Sequence, residues 1–132
     1  CVMGRSLGSA AAIELCSKSF DITCCVIESG YADPIQLVKR RGLEIKHVSL
    51  AENKLFNNSE KMLLVNCPTL VMHGENDFLI SPDEAVLNHK NAGSRHKVLD
   101  ILKSVGHNDM MMAGDNSYFK SLINFFNDVI PL

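Results

Sequence analysis

Two segments of this chain, Ile22–Glu28 (ITCCVIE) and Thr69–His73 (TLVMH), are apolar almost without interruption. A strand with one wet face alternates apolar and polar residues. An unbroken apolar run of this length instead suits a strand covered on both faces, the kind found inside parallel sheets. Lys97–Leu102 reads as a further strand and Cys1–Met3 as a strand stub.

Helical signals fill the gaps between these runs. Ser9–Ser19 is rich in alanine, a strong helix former. Asp33-Pro34-Ile35-Gln36 offers an N-cap, a proline at the first helical position and a glutamine behind it, and that helix should end at Gly42. Ser81-Pro82-Asp83-Glu84 is a second start signal, with Gly93 as the terminator. A last helix from about Asn116 to Val129 puts Tyr118, Leu122, Phe125, Phe126 and Val129 on one face, and Pro131 follows it. Strand and helix in alternation predict an α/β fold, a three-layer parallel sheet with helices on both faces. Right-handed crossovers are expected to place helices on the two sides. Residues 44–66 break the rhythm and read as a short helical excursion with a polar hinge at Asn57-Asn58-Ser59.

The length of 132 residues fits one domain over 1–132. A net charge of −2, with both signs mixed along the chain, supplies no basic stripe, so a nucleic-acid partner is not expected. The basic run Lys39-Arg40-Arg41 reads as a helix C-terminus, where cations suit the negative end of the dipole. No apolar run reaches the roughly 20 residues of a transmembrane segment. The five cysteines, Cys1, Cys16, Cys24, Cys25 and Cys67, match no zinc spacing, and no metal or cofactor is expected. Cys24 and Cys25 sit in an apolar run as small hydrophobes, and free thiols in a core fit a reducing, cytoplasmic setting. None of the five sits in a turn beside a positive group, as a catalytic thiolate would.

Chemistry concentrates at three places. Gly4-Arg5-Ser6-Leu7-Gly8 sits where the stub meets the first helix. A tight strand-to-helix turn lifts a serine above the sheet, and glycines two residues before and after allow strained angles and close approach. Leu7 then starts the helix, and its backbone N–H, at the positive end, suits an oxyanion. His73-Gly74-Glu75-Asn76-Asp77 follows a strand, with an aspartate three residues past the glycine. Gly106-His107 follows the next strand. Serine, aspartate and histidine thus come in order, each just beyond the end of a successive strand, the edge where open parallel sheets form sites.

On these residues the chain resembles the α/β-hydrolase superfamily, most of all its esterases, lysophospholipases and acyl-thioesterases. The resemblance implies Ser6 as nucleophile, His107 as general base and Asp77 as the acid that orients it, acting on a small ester or thioester substrate. Glu28 is a competing acid, because some members carry the acid one strand earlier. It also implies that the chain corresponds to the C-terminal half of the fold. An upstream half or another chain is then expected to pair with the open sheet edge beside Cys1–Met3.

Each residue has a plainer reading. Asp77 suits a cap before Ser81, and His73 suits a strand-end histidine bonded to backbone. His47, His89 and His96 read as surface, Asp109 as a cap of the turn after His107, and Met110–Met112 as core or as the lining of an apolar acyl pocket. For the whole chain, the alternative to a hydrolase is a non-catalytic interaction module that binds through its open edge or through 44–66.

Overall fold

The apolar runs become the two central strands of a four-stranded, all-parallel sheet. A computed structural model describes residues 1–44, 47 and 49–130. Strands β1 (Val2–Arg5), β2 (Cys25–Glu28), β3 (Thr69–Gly74) and β4 (Lys97–Leu102) lie side by side in sequence order. Every residue of β2 and β3 is buried, whereas β1 and β4 are partly exposed, as flanking strands should be. The register pairs Val2 with Cys25 and Cys25 with Thr69. The Cys25 N–H is satisfied by the Pro68 carbonyl, but Pro68 has no N–H to return, so the ladder begins there and not at Ile22. β1 runs past the expected stub to Arg5, opposite Glu28.

Among the described residues six α-helices accompany the sheet: α1 (Ser9–Lys18), α2 (Pro34–Arg40), α3 (Leu50–Phe56), α4 (Asn58–Met62), α5 (Pro82–Asn91) and α6 (Ser117–Val129). Ala12, Ile13 and Cys16 of α1, Met62 of α4 and Ala85 of α5 pack on Cys25, Ile27 and Val71. Tyr118 and Phe125 of α6 pack on Val26, Leu70 and Met72 on the opposite face, with Leu122, Phe126 and Val129 beside them. Three layers result, but the crossovers do not alternate sides. With strands in sequence order, each crossover of one hand steps the same way, so α1, α4 and α5 share a face. The other is covered by α6, which leads to no later strand among the described residues.

Local signals act as read. Asp33 Oδ1 accepts from the N–H groups of Ile35 and Gln36, and α2 stops at Arg40 before Gly42, whose φ is +70°. In the 44–66 excursion Ser49 and Glu52 form a reciprocal capping box for α3, and Asn57 caps α4. Residues 45, 46 and 48 of that excursion, and Pro131, lie outside the described residues. No helix among the described residues is long and apolar enough to cross a membrane.

The cysteines depart from expectation. Cys1 and Cys24 form a disulfide, their Cα atoms 4.8 Å apart, while Cys16, Cys25 and Cys67 are free. The register brings Cys1 beside Cys24, because the Val2 N–H donates to the Cys24 carbonyl. Two of the thiols on which the reducing setting rested are therefore paired.

Candidate active site

The turn after β1 carries a strained serine. Ser6 has φ +53°, a left-handed conformation that non-glycine residues seldom adopt without surrounding support. The support is close packing. A Cβ on Gly4 would stand 2.6 Å from Ala12 Cβ and 2.7 Å from the Gly8 carbonyl oxygen, so only glycine lets β1 and α1 approach this closely. Gly8 is different. Its φ of −64° is helical and a Cβ there would meet nothing within 4 Å, so the second glycine is not a requirement of the described packing. Leu7 lies within a 3₁₀ turn, Ser6–Gly8, that leads into α1, so the α-helix begins at Ser9, where the alanine-rich segment does, and not at Leu7.

Ser6, His107 and Asp77 meet above the C-terminal ends of β1, β3 and β4. His107 Nε2 is 2.8 Å from Ser6 Oγ, and His107 Nδ1 is 2.7 Å from Asp77 Oδ2. A carboxylate only accepts, so Nδ1 carries the ring proton and donates to Asp77, and Nε2 accepts from the Ser6 hydroxyl. Asp77 is buried, and its Oδ1 accepts from the N–H groups of Leu79 and Ile80, both at 2.9 Å. The plainer reading of Asp77 as a local turn-former therefore holds: the turn bonds occupy one oxygen, and the other faces His107.

The His107 loop is held to the end of β3. The Glu75 N–H donates to Leu102 O at 2.8 Å, and the Asn76 N–H to Val105 O at 2.9 Å. A Cβ on Gly74 would lie 2.6 Å from the Val105 oxygen and 2.7 Å from the Gly106 oxygen. Asp109 ties the loop across its own turn, accepting from the Gly106 N–H at 2.6 Å.

His73 is fully buried beneath Asp77. Its Nε2 is 2.8 Å from Ile80 O and 3.1 Å from Asp77 Oδ2, both acceptors, so Nε2 is the protonated nitrogen. Burial holds its pKa below the ordinary imidazole value, against the pull of the Ile80 carbonyl and the Asp77 carboxylate. His73 is thus the backbone-bonded histidine expected, and it also braces the acid.

Glu28 is bonded to other partners in this arrangement. Its carboxylate is occupied by Arg5 Nε at 3.2 Å and by the Tyr118 hydroxyl at 2.9 Å, while His107 Nδ1 is on Asp77. His47 and His96 are exposed and His89 is half-buried. Within Met110–Met112 only Met110 is core; Met111 is 63% and Met112 82% exposed, because their short 3₁₀ turn carries them round to solvent. The sequence reading missed Arg5, whose Nη2 donates to His107 O at 2.6 Å and to Asn108 Oδ1 at 3.0 Å. No spacing rule connects residues about a hundred positions apart.

Neither a protein-family model nor a curated protein matches the sequence. Solved structures do. An esterase of Pyrococcus furiosus, Pf2001, superposes with a TM-score of 0.76 at 16% identity over 98% of this chain and 53% of its own. The acylaminoacyl peptidase of Pyrococcus horikoshii gives 0.72 at 16% identity over 97% of this chain and 23% of its own. This is the α/β-hydrolase fold. An acetyl xylan esterase from Paenibacillus sp. R4 gives 0.73 at 12% identity over 96% of this chain and 44% of its own. The chain therefore spans about half the length of the P. furiosus esterase and about a quarter of the peptidase. At these identities the likeness is one of fold. Ser6, Asp77 and His107 meet beyond the C-terminal ends of the strands, the edge where ligands bind in open parallel sheets.

Proposed function

We propose that this chain carries the catalytic serine, acid and base of a serine hydrolase acting on an ester, thioester or related acyl bond. The observation that carries the reading is the hydrogen-bonded chain from Ser6 Oγ through His107 to Asp77, set on a serine in a strained turn. A strained serine that only filled a turn would have no use for an imidazole and a buried carboxylate aligned on its hydroxyl.

Ser6 Oγ attacks the acyl carbon as its proton passes to His107 Nε2. The Leu7 N–H, in the first turn after the nucleophile, donates to the oxyanion. Asp77 keeps Nδ1 protonated and stabilises the imidazolium. The bond to the leaving group breaks as Nε2 returns the proton to it, leaving an acyl ester on Ser6. Water, deprotonated by Nε2, then hydrolyses that ester and restores the serine.

The full-length protein should react with a fluorophosphonate, adding one phosphonyl group that peptide mass spectrometry places on Ser6. Ser6→Ala should abolish labelling with the circular dichroism spectrum unchanged. Equal labelling of the variant, or none of the wild type, would overturn the reading.

A further inference from the structure

Arg5 and Glu28 stand opposite each other in the β1–β2 register, so their side chains leave the sheet on the same face. That face is the one α6 covers. The Glu28 side chain is only 4% exposed, and a carboxylate so buried requires partners for its charge. It has two. Arg5 Nε lies 3.2 Å from Oε1, and the Tyr118 hydroxyl, from the first turn of α6, donates to Oε2 at 2.9 Å. Burial first, then the adjoining carboxylate, push the Tyr118 phenol up to about 12, so it remains a donor across the ordinary pH range.

Glu28 engages only the Nε edge of the guanidinium. The far edge is left to reach over the site, where Nη2 donates to the His107 carbonyl at 2.6 Å and to Asn108 Oδ1 at 3.0 Å. Only a planar fork makes both contacts in one fixed geometry; a lysine has one nitrogen to place. Arg5 is also joined to Ser6 by a single peptide bond. The residue that precedes the nucleophile therefore grips the backbone of the residue that bears the base.

We infer that Arg5, held by Glu28 and through it by Tyr118, is a positioning residue that fixes His107 at hydrogen-bonding distance from Ser6. The inference rests on the hydrolase reading above. His107 sits in a loop, where backbone position is less constrained than in a strand. Its ring is fixed by Asp77 at Nδ1, and its backbone carbonyl is fixed by Arg5. With both ends held, the ring has little freedom to swing from the serine. A displacement of about 1 Å at a reacting group is enough to cost on the order of 10²-fold in rate.

The test compares wild type, Arg5→Lys and the double variant Arg5→Met with Glu28→Gln in the full-length protein. The double variant removes both charges together, so no unpaired carboxylate is left buried to unfold the protein. The measurements are kcat and KM on a p-nitrophenyl ester, the fluorophosphonate reaction rate, the melting temperature and the ¹H NMR line of the His107 Nδ1 proton. The double variant should lose about 10- to 100-fold in kcat and in labelling rate. KM and melting temperature should stay near wild type, and the Nδ1 proton line should broaden as the ring gains motion. Arg5→Lys should fall between the two. A double variant as fast as wild type would overturn the inference, as would a loss confined to KM or one that follows a lowered melting temperature. If wild-type Ser6 proves unreactive, the hydrolase reading fails by itself, and the NMR line decides the positioning role: broadened in the double variant supports it, unchanged overturns it.

Discussion

Asp77 serves a turn and a histidine with two oxygens. Its Oδ1 is committed to the Leu79 and Ile80 N–H groups and its Oδ2 to His107, so an amide in its place must present an NH₂ to donors on one side or the other. Asp77→Asn should therefore disturb the His107 tautomer and lower kcat by about 10⁴-fold. Glu28→Gln should cost under about 10-fold, since an amide oxygen still accepts from Arg5 or Tyr118. Steady-state kinetics on the two variants checks the assignment, and the reverse order of effects would move the acid to β2. His73 makes a second, pH-dependent claim. Its folded pKa lies below the ordinary 6.5, chiefly through burial, while the unfolded chain takes up a proton near that value. Unfolding then binds a proton in this window, so His73 lowers stability as pH falls from about 6.5 towards 5. Asp77 and His107 face it, so the control is the variant: urea denaturation of His73→Gln should show a shallower decline than wild type over that range.

At the scale of elements, the site depends on two close backbone approaches. β1 meets α1 at Gly4, and β3 meets the His107 loop at Gly74. The Gly74 contacts are with carbonyl oxygens of the main chain, which cannot rotate aside as a side-chain tip does. Gly74→Ala should therefore push residues 105–107 away from Asp77 and Ser6, and weaken the bonds from the Glu75 and Asn76 N–H groups. The expected result is a fall in the phosphonylation rate of about 10²-fold, larger than the shift in melting temperature would suggest. An alanine variant with the wild-type rate would mean that the loop takes its position from elsewhere.

For the whole molecule, the core is built on both faces of one narrow sheet, with α1, α4 and α5 on one side and α6 on the other. Among the described residues β1 pairs only with β2, so its outer edge presents unpaired backbone groups, with Met3 46% exposed on the same strand. A preparation of these 132 residues alone should therefore self-associate, which light scattering coupled to size exclusion measures. A monodisperse monomer would contradict this.

What the sequence determined by itself is local or periodic. Unbroken apolar runs marked β2 and β3, because a strand covered on both faces has no polar side to show. The spacing of Tyr118, Leu122, Phe125, Phe126 and Val129 marked the buried face of α6, and caps such as Asp33 set helix starts by bonding N–H groups two or three residues away. The order of Ser6, Asp77 and His107 was legible because each follows a strand, and strand ends in a parallel sheet share one edge. Tertiary structure decided the rest. Which carboxylate bonds His107 depends on what each one meets in three dimensions: Glu28 meets Arg5 and Tyr118, Asp77 meets His107. The Cys1–Cys24 disulfide depends on register, and the placing of α1, α4 and α5 on one face depends on strand order. Arg5 is the clearest case: its partners stand 23 and about a hundred residues away, and the register of β1 on β2 and the path of the loop after β4 bring them to one guanidinium.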